Sequence, residues 1–241
     1  MRTLAIVLLF AACGSSGNGG EDGGNKPADA RVFQDAPPNV PAMITIGGTA
    51  LDNKASGPPV PLPGVAIALL RVSDDSMIAT ATSDAQGKYS MTVTTSGHVV
   101  DAYLEATISG YAPAAVFPAA PFQQDTPDAD SNLITTANYA GLQFISGQQA
   151  GMGFVVVGIL DANAMAVAGA KVSSTPAGVY KYSDSNGTPT GTTSTNTDGA
   201  AFFTNLAPGM VTISATKSGA TFKSHAIKAA ADTFTSSVLT E

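Results

Sequence analysis

Ser83-Asp84-Ala85-Gln86-Gly87-Lys88-Tyr89-Ser90-Met91 returns later in the chain as Thr195-Asn196-Thr197-Asp198-Gly199-Ala200-Ala201-Phe202-Phe203. Each stretch is a polar turn closed by glycine and followed by a strand. Tyr89, Met91 and Val93 alternate on one face of the first strand, as Ala201 and Phe203 do on the second. A period of two marks a strand with one buried face. The flanks repeat as well. Ile44 to Ala50 matches Phe154 to Leu160, and Gly64-Val65-Ala66-Ile67-Ala68-Leu69 matches Gly169-Ala170-Lys171-Val172. Turns at Ser96-Gly97 and Pro208-Gly209 precede strands carrying Leu104 and Ala106, then Val211, Ile213 and Ala215. Both copies close on Ser-Gly, at Ser109-Gly110 and Ser218-Gly219. Short strands with turns every 8–12 residues predict an antiparallel sandwich. The expected fold is all-β: two tandem antiparallel Greek-key β-sandwich domains, over residues 43–117 and 151–241.

Between the copies, residues 118–150 form an acidic connector with Pro118, Pro121, Asp125, Pro127, Asp128 and Asp130. Leu133, Ile134, Ala137, Gly141, Phe144 and Ile145 then recur at helical spacing. One short helix is expected, N-capped by Asp130 or Ser131, ended by Gly147 and packed on a sandwich.

Upstream, Arg2 supplies a charge, Leu4 to Phe10 run apolar, and Ala11-Ala12-Cys13 follow. This is the plan of an export signal over residues 1–12, too short for a bilayer span of about 20 residues. Residues 13–42 are rich in Gly, then Pro, Ala and Asp, the composition of a flexible tether that reaches roughly 30 Å.

Composition narrows the functions. Of 241 residues, 44% are hydrophobic and 12% charged, the latter about half of the ordinary share. Eleven basic residues against 18 acidic ones give a net charge of −7, which argues against nucleic acid as a partner. The single Cys excludes a disulfide scaffold and multi-thiolate metal sites. There is no Trp, and only two His.

Two resemblances follow from these residues. Phe10-Ala11-Ala12-Cys13 resembles the bacterial lipobox, although that family usually has Leu where Phe10 stands. The resemblance implies cleavage before Cys13, lipidation of Cys13 and a membrane anchor; Gly14, in place of a retention Asp, favours the outer membrane or cell surface. An ordinary export signal with an incidental thiol is the competing reading. The repeat resembles the carboxypeptidase regulatory-like domain, a transthyretin-like sandwich. Pro61-Leu62-Pro63-Gly64-Val65, Asp84 to Tyr89 and Gly110-Tyr111 carry it in the first copy. Gly158-Ile159-Leu160-Asp161, Val167-Ala168-Gly169-Ala170 and Asp198-Gly199 carry it in the second. These are turn and core positions, which speak for fold and not for chemistry. The second copy departs with a Ser/Thr/Gly insertion between Ser183 and Asn196, whose Asp184-Ser185-Asn186-Gly187 suits a hairpin tip.

Candidate sites are few. Asp128, Asp130 and Asn132 open like a calcium loop, but Leu133 and Tyr139 stand where it needs Gly and Glu. A looser calcium site with Asp125 competes with a solvated linker. His98, near Asp101, and His225 cannot alone complete a three-ligand zinc site. No G-x-S-x-G is present for a serine nucleophile. Gly151-x-Gly153 lacks the third glycine of a nucleotide loop, and Gly87-Lys88 is followed by Tyr89 and not Ser or Thr. Lys54 and Glu105 supply a lysine and a carboxyl for the Lys–Asn isopeptide bond of some related sandwiches, but no Asn lies near the first copy's last strand. Tyr180 and Tyr182 share one strand face and either stack on sugar or pack across strands. The expectation is a non-catalytic envelope module with no cofactor, anchored through Cys13. Its partner is another envelope protein or a glycan. A carbohydrate-binding module, and behind it a hydrolase, are the alternatives.

Overall fold

The computed structural model describes residues 39–54, 57–184, 187–191 and 193–241. The export signal, Cys13 and most of the expected tether lie outside the described residues. The tether's last residues are already docked. Val40 is buried, and Ala42 O accepts from Thr95 N at 3.0 Å.

The chain is mostly β. The first half contains β1 (Met43–Asp52), β2 (Val60–Pro61), β3 (Ala66–Arg71), β4 (Met77–Thr82), β5 (Lys88–Thr94), β6 (Ala102–Thr107), β7 (Ala114–Phe117) and β8 (Ser131–Leu133). Helix α1 (Thr136–Ser146) follows. The second half contains β9 (Gly153–Leu160), β10 (Lys171–Thr175), β11 (Val179–Tyr182), β12 (Ala200–Leu206), β13 (Gly209–Lys217), β14 (Ala220–Thr221), β15 (His225–Ala229) and β16 (Phe234–Thr240).

The strand pairings repeat. In the first unit β1 pairs antiparallel with β5 and parallel with β8; in the second β9 pairs antiparallel with β12 and parallel with β16. The opposing layers are β3-β6-β7 and β10-β13-β15. Ile44, Ile46, Met91, Ile67, Leu69 and Leu104 fill the space between layers in the first unit. Val155, Val157, Phe203, Val172, Val211 and Ile213 fill it in the second.

The two halves are joined by more than the connector. β16 also pairs parallel with β7, from Phe234↔Ala114 to Ser237↔Phe117. One eight-stranded sheet therefore runs β11-β12-β9-β16-β7-β6-β3-β4 through both halves. The cause is the backbone. β7 and β16 would each leave a row of buried N–H and C=O groups unpaired, and joining edges satisfies both rows. β7 is apolar on both faces to suit. Ala114 faces the first core, while Ala115 and Phe117 face the second.

The connector differs from its expected form in a related way. Thr126 N donates to Thr45 O and Gly47 N to Thr126 O, each at 2.8 Å, so the acidic stretch runs along β1 before becoming β8. Gly48 permits this contact, since a Cβ there would lie 2.4 Å from Ala129 O. Helix α1 starts later than the apolar spacing predicts. Leu133 lies on β8, and the N-cap is Thr135, whose side chain accepts from Asn138 N. Gly147 ends the helix in the left-handed conformation, as expected. Tyr139 and Leu142 press onto Phe154, Val156, Phe202 and Phe234, on the face of the long sheet away from the second core.

Candidate functional site

The repeated turn is a hydrogen-bond knot, built identically twice. Ser83 Oγ accepts from Val65 N at 2.9 Å and donates to Leu62 O at 2.7 Å. Thr195 Oγ1 accepts from Ala170 N at 2.9 Å and donates to Val167 O at 2.6 Å. Gly87 O and Gly199 O accept from Ala50 N and Ile159 N. Both glycines have positive φ, at 72° and 66°. A Cβ on Gly87 would lie 2.8 Å from Ala50 O, and one on Gly199 would lie 2.7 Å from Ile159 O. The motif that decides the fold thus uses its polar groups on its own backbone.

The acidic connector uses its carboxylates on β1. Asp125 Oδ1 accepts from Thr45 N and Asp130 Oδ1 from Thr49 N, each at 2.7 Å. Each spends its Oδ1 on a strand amide, and Asp130 is not the helix cap. Among the described residues no three His, Cys, Asp or Glu side chains are placed to hold a metal. Where the connector crosses β1 and β5, a shallow groove of about 450 Å³ is lined by Thr45, Gly47, Lys88, Ser90 and Asp125. Lys88 Nζ donates to Thr49 Oγ1 at 2.6 Å.

Tyr180 and Tyr182, read from the sequence as either a sugar platform or cross-strand packing, pack as struts across the second sandwich. Tyr182 is buried, and its hydroxyl accepts from Val172 N at 3.0 Å. The Tyr180 hydroxyl accepts from Ser174 N at 3.0 Å, and its ring meets Phe203 edge-on at 5.4 Å. The topology requires them. In the first unit β4 pairs with β3, but in the second β11 pairs with β12, and among the described residues the outer edge of β10 has no neighbouring strand. The two hydroxyls satisfy the amides that this edge exposes.

His98 is exposed. His225 is half-buried, with Nδ1 3.0 Å from Ser237 Oγ. Burial pushes its imidazole below the usual histidine value, and Asp101 opposes that shift. Serine, histidine and carboxylate are thus near one another at the seam between the halves. Ser237 is buried, however, and donates its proton to Phe117 O at 3.1 Å, so no activated hydroxyl faces solvent. The sequence reading missed this group because nothing local sets β15 against β16. Beside it Asp75 accepts from Tyr103 OH at 3.0 Å and pairs with Lys228 from the other half. Lys228 and Tyr103 hold the Asp75 carboxyl below its ordinary value. The Tyr103 ring stacks on Phe117 at 4.6 Å.

Lys54 and Glu105 are not brought together. Glu105 points to the Tyr103 face of β6, opposite the face that β1 covers, and Lys54 is exposed just past β1. At the insertion Gly187 N donates to Asp184 O at 3.0 Å and Gly187 has positive φ, as a hairpin tip requires; Ser185 and Asn186 lie outside the described residues.

No protein-family model and no curated protein matches the chain. Solved structures resemble it loosely. The Bacillus anthracis TIE protein has 14% identity and a TM-score of 0.28, covering 82% of this chain and 33% of its own, so the chain spans about a third of that protein. A double mutant of the shaft pilin SpaA from Lactobacillus rhamnosus GG has 13% identity and a TM-score of 0.25, covering 83% of this chain and 97% of its own. GBS52, the minor pilin of Streptococcus agalactiae, has 10% identity and a TM-score of 0.26, covering 82% and 96%. Among the described residues no helix is long and apolar enough to cross a membrane.

Proposed function

We propose that the chain is a non-catalytic structural or binding module of the cell envelope, lipidated at Cys13 and held off the membrane by its Gly/Pro-rich tether. The observation that carries this reading is the single sheet running through both halves. Two sandwiches on a loose connector would move independently, whereas an edge-paired pair keeps one orientation. The Asp75–Lys228 pair and the Tyr103–Phe117 stack brace the same seam. Such a body suits a spacer or scaffold whose end loops meet another envelope protein. The lipobox resemblance supplies the anchor, and the carboxypeptidase regulatory-like resemblance supplies the sandwich repeat.

Cross-linking in intact cells, with recovery from the membrane fraction beside a Cys13→Ala control, tests it. Membrane retention and a discrete protein partner, both lost in the control, are expected. Equal membrane association of the control overturns the anchor. Recovery of no protein partner overturns the scaffold reading.

A further inference from the structure

We propose that the open edge of β5 docks a second copy of this chain, which adds its own β5 antiparallel and joins the two first units into one sheet. Strand β5 pairs with β1 over seven consecutive residues without a bulge, and among the described residues no strand covers its other side. The bonding pattern fixes which groups that side presents. Thr45 and Gly47 spend their main-chain groups on the connector. The bonds from β1 to β5 therefore come from Ile44, Ile46 and Gly48, and meet Val93, Met91 and Tyr89. The alternate residues of β5 turn their N–H and C=O to the other side. The turn takes those of Lys88, through Asp84. Those of Ser90, Thr92 and Thr94 meet no partner among the described residues, and all three residues are exposed.

The second unit shows what such an edge takes. β12, the strand after the second glycine turn, carries β11 antiparallel on the edge that matches the open one of β5. The edge of β10 instead has its amides closed by the Tyr180 and Tyr182 hydroxyls. β5 has neither strand nor cap, and none of the proline, bulge or inward charge that blunts a lone edge. A second β5 fits it by symmetry. With a two-fold axis at Thr92, Thr92 faces its own copy and Ser90 faces Thr94. Each such pair exchanges both of its main-chain bonds, so every open N–H meets a C=O. The side chains that meet on the solvent face are small neutral hydroxyls, which pair well across strands. The one charge on the strand, Lys88, donates to Thr49 of its own chain and falls opposite Ser96 of the other copy, so no like charges meet.

A charge placed on the axis tests both the partner and the register. The whole chain with Cys13→Ser is followed by sedimentation over a range of concentrations, and a monomer–dimer equilibrium is expected. Thr92→Lys and Thr92→Glu each set like charges against one another and lower association by at least about tenfold. Mixing the two variants restores it, as a one-to-one heterodimer. Thr92→Pro removes an N–H that the folded chain does not use, so it lowers association and leaves the urea midpoint of the monomer unchanged. A chain that stays monomeric at every concentration overturns the proposal. A dimer that Thr92→Lys leaves intact also overturns it, since association then uses another surface. So does a pair of folded Lys and Glu variants that both lose association and fail to recover it on mixing, because the two strands then do not face one another at Thr92.

Discussion

The strand after the glycine knot is Lys88–Thr94 in the first unit and Ala200–Leu206 in the second, and the two live in different surroundings. In the first, Tyr89, Met91 and Val93 are buried while Lys88, Ser90, Thr92 and Thr94 face solvent. In the second, six of seven residues are buried, because α1 covers the face that water covers in the first. Strand β9 is buried at all eight positions for the same reason. One hydrogen-bond scaffold thus carries two kinds of strand. The knot fixes the fold of each unit, and the residues between knots record what packs on the outside. Counting from Gly87 and Gly199, Ser90 and Phe202 occupy the same place. Giving the second unit the first unit's residue, Phe202→Ser, strips a ring from beneath the helix and costs about 3–5 kcal/mol in a urea titration. Ser90→Ala stays within about 0.5 kcal/mol. Equal effects at the two positions would break the comparison.

The glycines sharpen it from the other side, because there the units agree. Gly87→Ala and Gly199→Ala each place a Cβ under 3 Å from a backbone oxygen, at a φ that alanine resists. Each costs about 1–3 kcal/mol by the same titration, with the two values close to one another. A large loss at one and none at the other would show that the knots are not equivalent.

The knots were legible because they are local. Ser83 to Gly87 and Thr195 to Gly199 carry their turn chemistry in a few adjacent residues, and alternation after each glycine gives the strand. The helix end at Gly147 was legible for the same reason. Legibility failed wherever the partner lies far along the chain. β16 meets β7 across 120 residues, as from Ser237 to Phe117. Nothing in Phe234–Thr240 distinguishes an edge strand from one buried between two units. Asp125 and Asp130 read as a linker or helix cap, because a carboxylate bonded to a β1 amide leaves no trace in its own neighbourhood. Leu133 and Ile134 share the helix's apolar period, yet β1 recruits Ser131–Leu133 as a strand. Tyr180 and Tyr182 were placed correctly on one face. Their role was hidden because it depends on which sheet β11 joins.

That sheet choice sets a smaller prediction. The first unit meets the edge of β3 with the backbone of β4, while the second meets the edge of β10 with two phenols. Tyr182→Phe keeps the ring and orphans Val172 N in a buried place, at about 1–3 kcal/mol. Tyr180→Phe, half-buried with water within reach of Ser174 N, costs about 0.5–1.5 kcal/mol. If both changes are neutral, the second sandwich does not rely on its struts.

The smallest effect concerns the seam, where His225 joins β15 to Ser237 on β16. Its imidazole titrates below the ordinary value of 6.5 because burial disfavours the charged ring. Well above pH 6.5 the ring is neutral in folded and unfolded chains alike, so there it adds nothing to pH dependence. As the pH falls below that value, the unfolded chain takes up a proton that the folded one refuses, and stability declines until the folded ring also protonates. Asp75 acts in a separate window. Its folded carboxyl lies below the ordinary value of 3.8, so its contribution persists through this range and is lost only in stronger acid. Denaturation midpoints measured from about pH 7.5 down to 4.5 should therefore fall for the native chain and flatten in His225→Gln, which keeps a polar group beside Ser237 but cannot titrate. A slope that survives His225→Gln would move the acid sensitivity away from this seam. The first unit has no buried imidazole, so its local opening by hydrogen exchange should stay level with pH after correction for the intrinsic rate, while the β15–β16 seam loosens.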